Sequence, residues 1–127
     1  MKTINVDEYR HLNASEMSEK KLQEYIITAA VEAGWDYYHT WNSKNSRKGF
    51  PDLVLTWLGS SHIVPERPLI FAELKTEHRK LDPDQIHWQE ILGQVADRPG
   101  SAMACVVWRP SDYINGNVHR ALGVPVE

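Results

Sequence analysis

The sequence predicts a single mixed α/β domain with elements in the order α, β, β, β, α, β, α. Three observations predict it. Apolar residues recur at helical spacing in two segments, around Leu22 to Ala33 and Trp88 to Val95. Four short runs rich in aromatic and β-branched residues are set off by Gly, Pro, Ser and Asn. A length of 127 residues with 42% hydrophobic content suits one core without disulfides or structural metal, so residues 1–127 read as one domain and 1–14 as a flexible N-terminal segment.

The first helix has three candidate starts: Asn13, with Glu16 completing a capping box, Ser15 and Ser18. Its body is set by Leu22, Ile26, Ala29, Ala30 and Ala33, with Gly34 as a left-handed cap. Ile27 and Val31 add apolar surface on a second face that also carries Glu24, so the helix is expected to be covered on more than one side. Trp35 to Trp41 reads as a strand, followed by a polar loop from Asn42 to Pro51. Strands from Asp52 to Leu58 and Leu69 to Lys75 flank a segment punctuated by Gly59, Ser60, Ser61, Pro65 and Pro68. Folded about a turn near His62 or Ile63, that hairpin places Asp52 opposite Glu73 and Leu74.

Asp82-Pro83-Asp84-Gln85 opens the second helix, with Asp82 as N-cap and proline at the first helical position. Trp88, Ile91, Leu92 and Val95 form its expected buried stripe. Arg98-Pro99-Gly100 ends that element, Ala102 to Trp108 makes the fourth strand, and Pro110-Ser111-Asp112 opens a short last helix.

Composition excludes several classes. The start of the chain is polar and no apolar run approaches the roughly 20 residues needed to cross a bilayer, so the expected location is cytoplasmic, with no membrane partner. Cys105 lies within an apolar run and reads as a small buried hydrophobe. His78 and His87 lack paired ligand spacing and no Cys-x-x-Cys is present, which argues against zinc. There is no phosphate-binding Gly-x-x-x-x-Gly-Lys loop and no Gly-x-Ser-x-Gly elbow. The net charge of -3 offers no global attraction to nucleic acid, so binding must use local patches. Lys44, Arg47 and Lys48 form one patch free of acids, and Lys75, Arg79 and Lys80 form another against the single acid Glu77.

The chemistry concentrates where the apolar strand Leu69 to Ala72 runs into Glu73-Leu74-Lys75. Strand alternation puts Glu73 and Lys75 on one face and Leu74 on the other. Gly49-Phe50-Pro51-Asp52 is a rigid turn that delivers an aspartate to the head of another apolar strand. Two carboxylates and the Leu74 carbonyl suit a hard divalent cation, which lowers the pKa of bound water, while a neighbouring lysine orients that water or offsets developing negative charge.

Pro51-Asp52, a gap of twenty residues and Glu73-Leu74-Lys75 resemble the signature of PD-(D/E)XK nucleases. Gly49-Phe50-Pro51-Asp52-Leu53 is similar to the G-x-P-D-L turn of the VRR-Nuc branch, Glu24 falls on the first helix where these nucleases often carry an acid, and Gln85 opens the helix where that branch carries glutamine. The segment Val107 to Asp112 is similar to the close of short stand-alone members, so the resemblance spans Ser18 to about Asp112. It implies a restriction-endonuclease-like αβββαβ core with a mixed central sheet flanked by helices. It further implies that Asp52, Glu73 and the Leu74 carbonyl hold Mg²⁺ or Mn²⁺, that Lys75 positions the attacking water, that Glu24 acts on the metal through water, and that Gln85 holds the lysine or a phosphate oxygen. A plainer reading pairs Glu24 with Lys20 or Lys21, and lets Gln85 complete the capping box.

The expectation is a bacterial or phage deoxyribonuclease cutting branched, flapped or junction DNA, with Lys44, Arg47, Lys48, Arg79 and Lys80 on the phosphate backbone. It would act as a homodimer, with a helicase or replication protein as a further partner. The alternatives are a nicking or sequence-specific endonuclease of the same superfamily and a catalytically silent DNA-binding module. His39 reads as packing, the five tryptophans as core or interface, and Trp41 as a residue able to stack on a base.

Overall fold

Ser18 opens the first helix: its hydroxyl accepts from the Lys21 N–H at 3.1 Å and starts α1 (Glu19–Glu32). Asn13, the competing start, caps a separate single turn at Ala14–Glu16. The computed structural model describes residues 3–41, 44–59 and 63–127, so loop residues Asn42 and Ser43 and the expected turn residue His62 lie outside it. Leu22, Ile26, Ala29, Ala30 and Ala33 are buried as the periodicity predicts. The expected second covering is partial: Ile27 is half-buried against the core, while Val31 is exposed.

The sheet holds β1 (Trp35–His39), β2 (Leu53–Trp57), β3 (Leu69–Leu74) and β4 (Met103–Trp108) in that spatial order. The first two pairings are antiparallel and the third parallel. A parallel neighbour demands a crossover, which α2 (Pro83–Ala96) supplies. The registers place Trp35, Leu53, Leu55, Ile70, Ala72, Leu74 and Trp108 on one face, where they join the α1 stripe in the core. α2 lies against β4 on the opposite face, where Cys105 Sγ donates to Gln89 Oε1 at 3.3 Å. Because β4 is an edge strand, part of the α2 stripe overhangs it. Trp88, Ile91 and Leu92 are only half-buried, Val95 is exposed, and Ala96 alone of the helix is fully buried, so the expected buried stripe is a partial one.

The chain closes with two short helices where the sequence predicts one, α3 (Pro110–Ile114) and α4 (Asn117–Ala121), divided at Asn115 and Gly116. The N-terminal segment meets the C-terminus at Ile4, which bridges to Val126. Ile4 is buried and its backbone bonds Pro125 and Glu127, each at 3.0 Å. Among the described residues, no helix is long and apolar enough to cross a membrane.

Candidate active site

The hairpin register pairs Leu53 with Ala72, and one further step sets Asp52 beside Glu73. Asp52 is pinned from both sides. Its Oδ2 accepts the Leu74 N–H at 2.8 Å, and its carbonyl accepts the Thr40 N–H at 2.9 Å. Thr40 Oγ1 also donates to the Pro51 carbonyl at 2.7 Å, so the end of β1 holds the proline turn that aims the aspartate. In an extended strand a residue's N–H and C=O share an edge, so the Leu74 carbonyl faces the Asp52 side, off the end of β2.

Glu73 and Lys75 are 2% and 4% exposed, a depth at which charged side chains need partners. Gln85 is one of them, its Nε2 donating to Glu73 Oε1 at 2.9 Å. The same side chain accepts the Asp82 N–H at 3.0 Å while Asp82 accepts the Gln85 N–H at 3.0 Å. The capping box and the inward contact are therefore both made, and the Gln85 side chain bonds Glu73 and Asp82 rather than Lys75. Burial is the main force that pushes the Glu73 carboxyl up to about 9. The neighbouring Asp52 carboxyl adds to the rise by hydrogen bond and by charge, Lys75 opposes it, and Glu19 raises it further.

Glu19 is the residue the sequence reading missed. It lines the groove above Asp52 and Glu73, and its Oε1 is buried without a hydrogen-bond partner. Glu24, chosen for the acid of the first helix, does not reach the groove; it lies exposed and pairs with Lys21 at 3.5 Å. Helix geometry explains the exchange. Glu19 stands three residues before Leu22 and seven before Ile26, so it continues the buried stripe, whereas Glu24 falls between stripe positions.

The groove encloses about 930 Å³. Lys44, Arg47 and Lys48 line it on one bank and Arg79 on the other, while Lys80, also expected there, is not among its lining residues. The basic loop is mounted on α2. Trp88 Nε1 donates to the Lys48 carbonyl at 3.1 Å, the Arg47 guanidinium lies 5.2 Å from the Trp88 ring centre, and Phe50 meets that ring edge-on at 5.0 Å. Arg109 holds the far bank through one nitrogen, which donates to the Thr76, Glu77 and Arg79 carbonyls.

Among the described residues, no group of three or more His, Cys, Asp and Glu side chains is placed to hold a metal ion by itself. The donor set at the groove floor still fits a hard divalent cation of the kind that keeps several waters. It has two adjoining carboxylates, a backbone carbonyl on the same side and the unpartnered Glu19 oxygen nearby, and no soft ligand among them. Burial first, and the adjoining Asp52 carboxyl second, raise the Glu73 carboxyl, and a cation at the groove floor would lower it again.

No family model matches the chain, and no curated protein matches it. A solved structure described as a VRR_NUC domain is similar to it, with a TM-score of 0.53 and 22% sequence identity over 80% of this chain and 94% of that chain.

Proposed function

From the VRR-Nuc fold that this chain has, we propose that it is a metal-dependent DNA endonuclease with its active site at Asp52, Glu73 and Lys75. The observation that carries the reading is the pair of carboxylates at the floor of a groove with a buried lysine two residues along the strand and bases on both banks. A structural ion pair would not need the four surrounding bases, and a simple anion site would not place two carboxylates at its floor.

Asp52, Glu73 and the Leu74 carbonyl would hold Mg²⁺ or Mn²⁺, with Glu19 acting through water. The ion when bound supplies a lowered pKa for water and a counter-charge for the phosphate. Lys75 stands beside Glu73 on the same strand face, where its ammonium orients the attacking water and offsets charge that develops on the phosphodiester. Gln85 fixes the carboxylate rotamer of Glu73 and so acts as a positioning residue. Lys44, Arg47, Lys48 and Arg79 bind backbone phosphates and set the strand across the floor. Branched or flapped DNA is the proposed substrate shape, and DNA held across two copies of a symmetric dimer the proposed assembly.

Supercoiled plasmid and a four-way junction, each incubated with Mg²⁺, Mn²⁺ or EDTA, test the reading. Cleavage is expected with either metal, abolished by EDTA and reduced at least a hundredfold by Asp52→Asn or Lys75→Met. Cleavage that survives EDTA would refute the metal mechanism, and metal-dependent binding without cutting would refute catalysis.

A further inference from the structure

The groove has an aromatic rim that phosphate chemistry does not use. Trp41 is 75% exposed and Tyr38 is 59% exposed, yet both line the groove beside the carboxylates. Tyr38 pairs with Val54 and Thr40 follows opposite Asp52, so Tyr38 projects from the sheet face that carries Asp52 and Glu73. The Trp41 ring leans on the His39 ring, with centres 5.5 Å apart at 41°. Trp88, the other tryptophan of the groove, is differently placed, being committed to Lys48, Arg47 and Phe50.

Large apolar rings exposed at the mouth of a site for a polyanion offer a flat surface to something else flat. In a paired duplex the base faces are covered by their neighbours, so only an unpaired base has a face to give. The cations of the loop that follows Trp41 (Lys44, Arg47 and Lys48) line the same groove. Resting on the nuclease reading above, we propose that Trp41, at the mouth of the groove that Tyr38 also lines, is a stacking platform for unpaired nucleotides next to the scissile phosphate. It selects DNA carrying a single-stranded flap or gap over continuous duplex. Trp41 and Tyr38 are then specificity-determining residues and take no part in the bond-breaking step.

The test uses the full chain in EDTA at fixed ionic strength, with three fluorescently labelled DNAs: continuous duplex, the same duplex with a short single-stranded flap, and that flap made abasic. Anisotropy is expected to show a preference for the base-bearing flap over duplex that falls on the order of tenfold in Trp41→Ala, is partly kept in Trp41→Phe, and is lost in wild type when the flap is abasic. A 2-aminopurine placed in the flap should be quenched by wild type and not by Trp41→Ala. A preference unchanged by Trp41→Ala, or an abasic flap bound as well as a base-bearing one, would overturn the platform. If the protein cuts duplex with Mg²⁺ but shows no flap preference, the platform alone fails. If it neither binds nor cuts any DNA, the nuclease reading fails and the platform with it.

Discussion

Gly49 is the point at which the fold and the proposed chemistry depend on one backbone. It holds φ of +88°, and a Cβ built there would overlap the Asp84 backbone carbonyl and lie 2.7 Å from the Asp84 Cβ. Asp84 is in the first turn of α2, so the loop and the helix are in van der Waals contact with no room for a methyl group. Gly49→Ala therefore has two costs: about 1–2 kcal/mol for an L-residue in the left-handed region and about 1–3 kcal/mol for the overlap, together about 2–5 kcal/mol. Gly100 separates them, since it has φ of +74° and nothing within 4 Å of its Cβ position. Gly100→Ala should cost only the conformational part, about 1–2 kcal/mol. Urea unfolding followed by tryptophan fluorescence measures both. Relief of the overlap by moving the loop would shift Asp52, three residues on, and a misplacement of about 1 Å costs on the order of a hundredfold in rate. Equal destabilisation of the two variants, or a Gly49→Ala protein that keeps full cleavage activity, would refute the close approach of loop and helix.

The carboxyl of Glu73 predicts an unusual pH profile. With its folded value near 9 against an ordinary 4.5, its contribution to stability is fully present below pH 4.5 and is lost as pH rises toward 9. Melting temperature in EDTA should thus be higher at pH 5.5 than at pH 8.5, Glu73→Gln should flatten that slope, and Mg²⁺ at a hundred times its dissociation constant should restore about 2.7 kcal/mol to wild type alone. Glu19→Gln should raise the Mg²⁺ concentration needed for half-maximal cleavage several-fold, whereas Glu24→Gln, which loses only an exposed pair with Lys21, should leave both cleavage and stability within about 0.5 kcal/mol of wild type; the reverse pattern in a metal titration would return the helix acid to Glu24. Arg109→Ala leaves three carbonyls of the far bank without their shared donor and should cost about 2–4 kcal/mol in urea unfolding, with weaker DNA binding because Arg79 loses its support.

What the sequence made legible followed from short-range rules. The pairing of Asp52 with Glu73 needed only two strands, a turn and a period of two, and the observed Leu53–Ala72 register has its midpoint between positions 62 and 63, where the turn signals fall. Asp82 and Pro83 declared the start of α2 because capping is local. What stayed hidden depended on neighbours distant in sequence. Local rules allow Gln85 as a cap or as an inward group, and a carboxamide can be both, with its oxygen on Asp82 and its nitrogen on Glu73. Periodicity marked Trp88 as apolar stripe but gave no sign that the stripe overhangs an edge strand and carries the basic loop. Glu19 was within reach, since it extends the Leu22–Ile26 stripe by one turn, but three open choices for the helix start left that turn unassigned.

The net charge of -3 hides how the groove is balanced. Among the described residues its lining brings Lys44, Arg47, Lys48, Lys75 and Arg79 against Glu19, Asp52, Glu73 and Asp82, five bases to four acids, a formal charge of only +1. Apart from Lys75, which is buried with the carboxylates, the bases stand away from the floor. Asp52 and Glu73 sit at the floor, and the four outer bases are carried by the loop on α2 and by the segment that Arg109 holds. An approaching phosphate backbone therefore meets attraction at the banks and repulsion at the floor, and the floor partly relieves itself by keeping a proton on Glu73. On the proposed function, a divalent cation held by Asp52 and Glu73 would take the place of that proton and add positive charge to the floor, favouring a phosphate close to Lys75. By the reciprocity of linked binding, DNA in the groove must then strengthen the hold on the ion by the same factor.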